Sequence, residues 1–229
     1  MSVATPLNLH RSVHLVDLRK IIWSFLDPFD REMIRCAQNS KRKIYIDMEY
    51  CAKRGYIDLL KLGILQHPTN TCILAAEYGH LELLQWARAK DCPWNEWTCE
   101  YAARGGWLEV LQWARSNGCP WDNRTCTEAA QSGQLEVLQW ARANECPWDE
   151  TTCLFAVQGG HFELFKWVVT NGCPWSERTC MYAAFNGQLE MLQWARANGC
   201  PWDKRTCRYA VLGNHLELLK WARENGCPE

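Results

Sequence analysis

The sequence predicts an all-α fold: an α-solenoid of stacked helix-turn-helix repeats with an N-terminal helical cap. Three observations predict it. Cys and Trp, normally scarce, occur 14 times each in 229 residues, and equal counts suggest a repeated unit. The dipeptide Cys-Pro recurs at Cys92, Cys119, Cys146, Cys173, Cys200 and Cys227, always 27 residues apart, the mark of a repeat architecture. A unit of 27 residues cannot bury an indole and several leucines alone, so neighbouring units must stack and share one elongated core.

Residues 1–46 do not repeat. Their helical stretch from Val16 to Leu26 ends at Asp27-Pro28, because a residue preceding proline is driven out of the helical region. Residues 47–70 read as a degenerate capping repeat. There Tyr50 to Leu60 matches Tyr101 to Leu111 once Cys51 is aligned with Ala102, and Leu62 stands where the later units carry Trp. Residues 71–229 form six repeats beginning at Thr71, Thr98, Thr125, Thr152, Thr179 and Thr206.

In the third repeat, Thr125 to Ser132 is expected to be a short helix opened by its hydroxyl residue and stopped by Gly133. A second helix is expected from about Leu135 to Asn144, with Leu135 and Leu138 at helical spacing and Glu136 in the first turn, where the helix dipole favours an anion. Pro147 cannot continue a helix, so Cys-Pro-Trp passes the chain to the next pair. Positions two and twenty-two hold 12 of the Cys, and positions sixteen and twenty-four hold 11 of the Trp. Trp at sixteen is expected in the inter-repeat core, burying ~150–250 Å² per ring, and Trp at twenty-four over the seam to the following repeat. Glu229 stands where the last repeat would carry its Trp, which predicts a polar final cap.

The unit resembles the ankyrin repeat. The matching residues are Ala75-Ala76, Gly79-His80-Leu81-Glu82, Gly160-His161-Phe162-Glu163 and Asn198-Gly199-Cys200, and the resemblance spans residues 47–229. Here the family's Thr-Pro-Leu start has Thr for Pro and Cys for Leu, and the connecting β-hairpin finger is shortened. Short, Trp- and Cys-rich units of this kind look like ankyrin repeats common in large DNA viruses and some protists. The resemblance implies a non-enzymatic scaffold that binds a protein partner, expected as a monomer.

Comparing the repeats with one another locates the variable positions. Position seven reads Glu77, Arg104, Gln131, Gln158, Phe185 and Leu212. Position eight includes Tyr78 and Asn186, and position ten reads His80, Trp107, Gln134, His161, Gln188 and His215. These are the candidate partner-binding residues, with Trp107 and Phe185 as anchors because large aromatics dominate interface hot spots. The same variation also fits solvated positions that serve no partner.

Within residues 1–46, the string Leu18, Ile22, Phe25, Leu26 and Pro28 resembles part of an F-box, which docks on the adaptor of a cullin-type ubiquitin ligase. The Leu-Pro pair that should open that motif is Leu15-Val16 here. The alternatives are a plain helical cap and a substrate-recruiting adaptor.

Composition limits other functions. A net charge of -1 argues against bulk attraction to nucleic acid or anionic membrane, and no stretch reaches the length of a membrane span. Single-stranded nucleic-acid binding by helical repeats is the remaining alternative of another class. Arg88, Arg115, Arg142, Arg196 and Arg223 at position eighteen, beside Glu at position twelve, are expected to form salt-bridging helix faces. The chain carries no nucleophile elbow, Walker loop, dinucleotide glycine motif or zincin motif, so no catalytic residue and no cofactor is expected. Cys119 and Cys126 are separated by six intervening residues with no recurring His beside them, a spacing that does not suit zinc; no metal is expected, and the thiols are read as core residues. Disulfides between matching columns are not expected across units ~10 Å apart, because a bridge needs Cα atoms within about 7 Å. With no secretory signal at Met1 to Leu18, a cytoplasmic or nucleocytoplasmic location is expected, that of the host cell if the origin is viral.

Overall fold

The computed structural model describes residues 23–24, 26–28, 31, 48–58 and 70–228. They fall into two compact bodies, residues 1–94 and 95–229. Among the described residues the regular elements are helices and none is a strand.

The N-terminal body holds α1 (Met48–Arg54), α2 (Thr71–Glu77) and α3 (Leu81–Ala89), with α2 packed on both others. Cys51 in α1 is wholly buried. Residues 59–69 of the degenerate repeat, and most of the helix expected at 16–26, lie outside the described residues. Leu26 is buried. Asp27 beside it accepts from Arg54 at 2.9 Å, and its N–H donates to the Tyr56 hydroxyl at 3.2 Å.

The C-terminal body is a solenoid of helix pairs: α4 (Glu96–Gly105) with α5 (Leu108–Ser116), α6 (Asn123–Gln131) with α7 (Leu135–Ala143), and α8 (Glu150–Gln158) with α9 (Phe162–Thr170). Then come α10 (Glu177–Phe185) with α11 (Leu189–Ala197), and α12 (Lys204–Leu212) with α13 (Leu216–Glu224). First helices stack directly, α4 on α6, α6 on α8, α8 on α10 and α10 on α12. Small residues permit this: positions two, five and six of the third repeat, Cys126, Ala129 and Ala130, are fully buried. The second helix adds Val137, Leu138 and Ala141 to the core.

Four expectations need correction. In the second to sixth repeats the first helix does not open at its Thr. It starts two residues earlier, because Asn95, Asp122, Asp149, Ser176 and Asp203 are the N-caps, each side chain accepting the N–H two residues on. The threonines are buried instead, and the hydroxyls of Thr98, Thr125, Thr152, Thr179 and Thr206 meet no hydrogen-bond partner.

Trp at position sixteen is half-buried rather than central, since positions thirteen, fourteen and seventeen point inward and sixteen lies on their flank. The seam expectation for position twenty-four does hold. Trp121 meets Trp140 edge to face at 5.9 Å, Trp148 meets Trp167 at 6.0 Å, and Trp202 meets Trp221 at 6.0 Å.

Arg88, Arg115, Arg142 and Arg196 at position eighteen engage the loop after their helix instead of the position-twelve glutamates. The guanidinium of Arg142 stacks on Trp148 at 4.1 Å and donates to the Cys146 carbonyl. Arg88, Arg115 and Arg196 repeat this bracket on Trp94, Trp121 and Trp202. The fourth repeat has Val169 there, and its Trp175 meets Phe165 at 6.1 Å instead.

The last repeat is not polar on its outer face. Val211, Leu212 and Leu216 are 55%, 62% and 67% exposed, and no helix pair among the described residues lies over them.

Candidate partner-binding face

The outward surface of the stacked first helices is built from positions four and seven, while position three turns into the junction with the next repeat, where Thr127, Leu154 and Met181 are buried. Alanine and cysteine on their inner sides fix the helices at close spacing, so side chains from successive repeats meet across this face. Arg104 on α4 donates to Glu128 on α6 at 2.7 Å and stacks on Tyr101 at 4.9 Å. Arg124 lies 4.0 Å from Glu100. Burial and the neighbouring Glu128 carboxylate raise the Glu100 carboxyl above its ordinary range, against the pull of Arg124 and Arg104. Thr127 and Thr151 hydroxyls meet at 3.2 Å. Further along, Phe185 on α10 meets Tyr209 on α12 edge to face at 5.9 Å. The face therefore changes from a charged cluster in the second and third repeats to an aromatic one in the fifth and sixth.

The three variable columns separate. Position seven faces outward: Arg104, Gln131, Phe185 and Leu212 are exposed, and Glu77 and Gln158 are half-buried. Position eight lies at helix C-caps, with Tyr78 half-buried and Asn186 exposed. Position ten mostly clips one repeat to the one before it. The ring N–H of His161 donates to the Gln131 carbonyl at 3.0 Å, that of His215 to Phe185 at 3.0 Å, and that of His80 to Lys53 at 3.3 Å. Gln188 does the same to Val157 at 2.7 Å. These bonds satisfy carbonyls that a helix end leaves open. Gln134 lies against Gly106. Trp107 is the exception in this column, 42% exposed, with its ring over Gly105 of its own repeat.

Position nine explains why the clip fits. Gly133 has φ 73, and a methyl group there would lie 2.6 Å from the His161 ring. Gly187 stands in the same relation to His215 at 2.5 Å. Of the F-box-like string, Leu18, Ile22 and Phe25 lie outside the described residues, Leu26 is buried and Pro28 is exposed.

The sequence comparison missed position four. Tyr101, Glu128, Phe155, Tyr182 and Tyr209 occupy it in the second to sixth repeats, and the recurrence of aromatics in a varying column was the available signal. It also missed the pairing of thiols twenty positions apart. Cys99 meets Cys119, Cys126 meets Cys146, Cys153 meets Cys173 and Cys180 meets Cys200 inside each repeat, and this contact, with burial, pushes the first thiol of each pair far above its ordinary value. The second thiol donates to an N-cap carbonyl, as Cys146 does to Asp122 at 3.4 Å. All described cysteines are free and buried. Among the described residues no three His, Cys, Asp or Glu side chains gather to hold a metal, and no helix is long and apolar enough to cross a membrane.

No family model and no curated protein matches the sequence. Among solved structures, the chain is similar to the human ASB11 ankyrin repeat domain, with a TM-score of 0.57 and 15% identity over 71% of this chain and 85% of that one. The likeness shows that the fold is that of an ankyrin repeat domain.

Proposed function

We propose that this protein is a non-enzymatic scaffold that binds a partner protein across its stacked first helices. The observation that carries the reading is the outward aromatic at a variable column: Phe185 is 43% exposed on a rigid stack and braced by Tyr209. Large aromatics held in place lose little entropy on binding and supply most of an interface's affinity. Trp107 is the second anchor, and Arg104 with Glu128 supplies a polar rim. Affinity capture with the wild-type chain and with Phe185→Ala or Trp107→Ala tests the reading. Loss of the same partner from both variants, with unchanged circular dichroism, is expected; undiminished recovery from both would refute it.

Residues 1–46 are read as a cap rather than a ligase-docking helix. Burial of Leu26 and the two bonds of Asp27 to Arg54 and Tyr56 support this. Leu26→Asp is then expected to lower stability; a stable variant that had lost a ligase adaptor would favour the F-box reading. Nucleic-acid binding is disfavoured by the engagement of the position-eighteen arginines with Trp rings and Cys carbonyls. Buried free thiols are compatible with a reducing, intracellular setting.

A further inference from the structure

Each first helix from α4 to α10 carries the next first helix on its outer side, and position six of those helices, Ala103, Ala130, Val157 and Ala184, is fully buried as a result. On α12 the same side carries no helix among the described residues. Val211 at position six is 55% exposed, and Leu212 and Leu216 continue the apolar surface. The four preceding junctions indicate what shape covers such a surface: a helix laid along the first helix.

Charge selects which helix. Glu150 and Glu177 at position twenty-six receive Arg178 at 3.9 Å and Arg205 at 2.9 Å from the following first helix. On α12 that position is Lys204, so the sign is reversed. Arg208 adds a second cation one turn on, and both are exposed and form no ion pair among the described residues. Lys204, Arg208, Val211 and Leu212 follow helical i, i+4, i+7, i+8 spacing, a single stripe. A repeat built like the fifth or sixth, whose first helices carry Arg178 and Arg205 at the matching position, would bring an arginine against Lys204. A second copy packed through α12 about a two-fold axis would bring the same two cations to the interface again, with no carboxylate on the stripe Lys204, Arg208, Val211, Leu212 to pair them. Glu217 does not offset them, since position twelve is exposed to solvent in every repeat, as at Glu136 and Glu190.

We propose that the end face of α12 and α13 docks an acidic amphipathic helix from a partner protein. Its apolar stripe covers Val211, Leu212 and Leu216, and its carboxylates pair with Lys204 and Arg208. The first-helix face proposed above is a separate surface, so either can fail alone.

The test uses a synthetic peptide of about 18 residues, long enough to lie along α12, with Leu at i, i+3, i+7 spacing and flanking Glu, against the same peptide with Lys for Glu. Fluorescence anisotropy with the full chain is expected to give about ten-fold or tighter binding of the acidic peptide. Lys204→Glu with Arg208→Glu should reverse that preference, Leu216→Ser should weaken binding about ten-fold, and Trp107→Ala should leave it unchanged. All four altered side chains are exposed, so the fold is expected to persist in each variant. Equal binding of the two peptides, no binding of the acidic one, or indifference to Leu216→Ser overturns the proposal. So does sedimentation of the free chain as a dimer that Leu216→Ser dissolves, which would assign the face to a second copy.

Discussion

Val157 and Val211 occupy the same column of the repeat two units apart, yet Val157 is wholly buried and Val211 is more than half exposed. The side chains are identical and so is the helix position. What differs is the neighbour: α10 lies over α8, and nothing described lies over α12. Burial in a stacked array is therefore conferred by the adjacent repeat rather than by the residue, and stability is approximately a sum over junctions.

The sharpest way to break this comparison is to place one charge at each site. Val157→Asp buries an unpaired carboxylate and is expected to cost more than about 4 kcal/mol, whereas Val211→Asp should stay within about 0.5 kcal/mol. Urea unfolding of the two variants checks it. If they were equally destabilised, the exposure difference would be wrong.

Alkaline pH is expected to act next most strongly, through the thiol pairs. Burial and contact with Cys207 push Cys227 up to about 12, while the pairs of the inner repeats lie higher still. Folded thiols thus keep their protons where unfolded ones, with values near about 8.5, lose them. The stabilisation is present below that value and is lost as pH rises, by about 1.4 kcal/mol per pH unit for each thiol that ionises only on unfolding. Unfolding midpoints at pH 7 to 10 should fall accordingly; midpoints flat over that range would contradict the buried pairs.

Gly133→Ala is expected to cost about 1–3 kcal/mol, since an L side chain at positive φ is strained and His161 lies over it. Adding His161→Ala should recover part of that cost in a double-mutant cycle. Asn214 takes the matching conformation, φ 59, with a side chain, so Asn214→Ala should cost less. The smallest effect is expected at the caps. Asp149→Ala removes bonds to the Thr151 N–H and from Asn123 and should cost about 1 kcal/mol. Burial opposes ionisation of Asp149, but its hydrogen bonds from Thr151 and Asn123 outweigh it and hold the carboxyl below its ordinary range. Its contribution is therefore present above about pH 3.9 and fades as pH falls, which acid titration of the variant against wild type would show.

Periodicity made the repeat, its two helices and the seam indoles legible, because 27-residue spacing and helical runs of leucine are local signals. The first helix's true start was missed because a Thr and the Asx or Ser residue three positions earlier are both good caps, and only the fold decides which reaches an N–H. The Arg142–Trp148 bracket and the Cys126–Cys146 contact were hidden for another reason: they depend on how the loop folds back on the second helix. Of the candidate face, position seven was readable as variable, but His161 and Gln188 look equally variable in sequence while serving as clips. Variation alone does not separate a solvated side chain from one that bonds a neighbouring carbonyl.

Because the described cysteines are all buried, they contribute little background to thiol labelling under native conditions. Val211→Cys and Val157→Cys, labelled with a maleimide under native conditions and corrected for wild type, test directly whether the neighbour confers burial. Labelling of Val211→Cys within minutes, with Val157→Cys protected until the protein is unfolded, is the predicted result. Equal protection at both positions would contradict it.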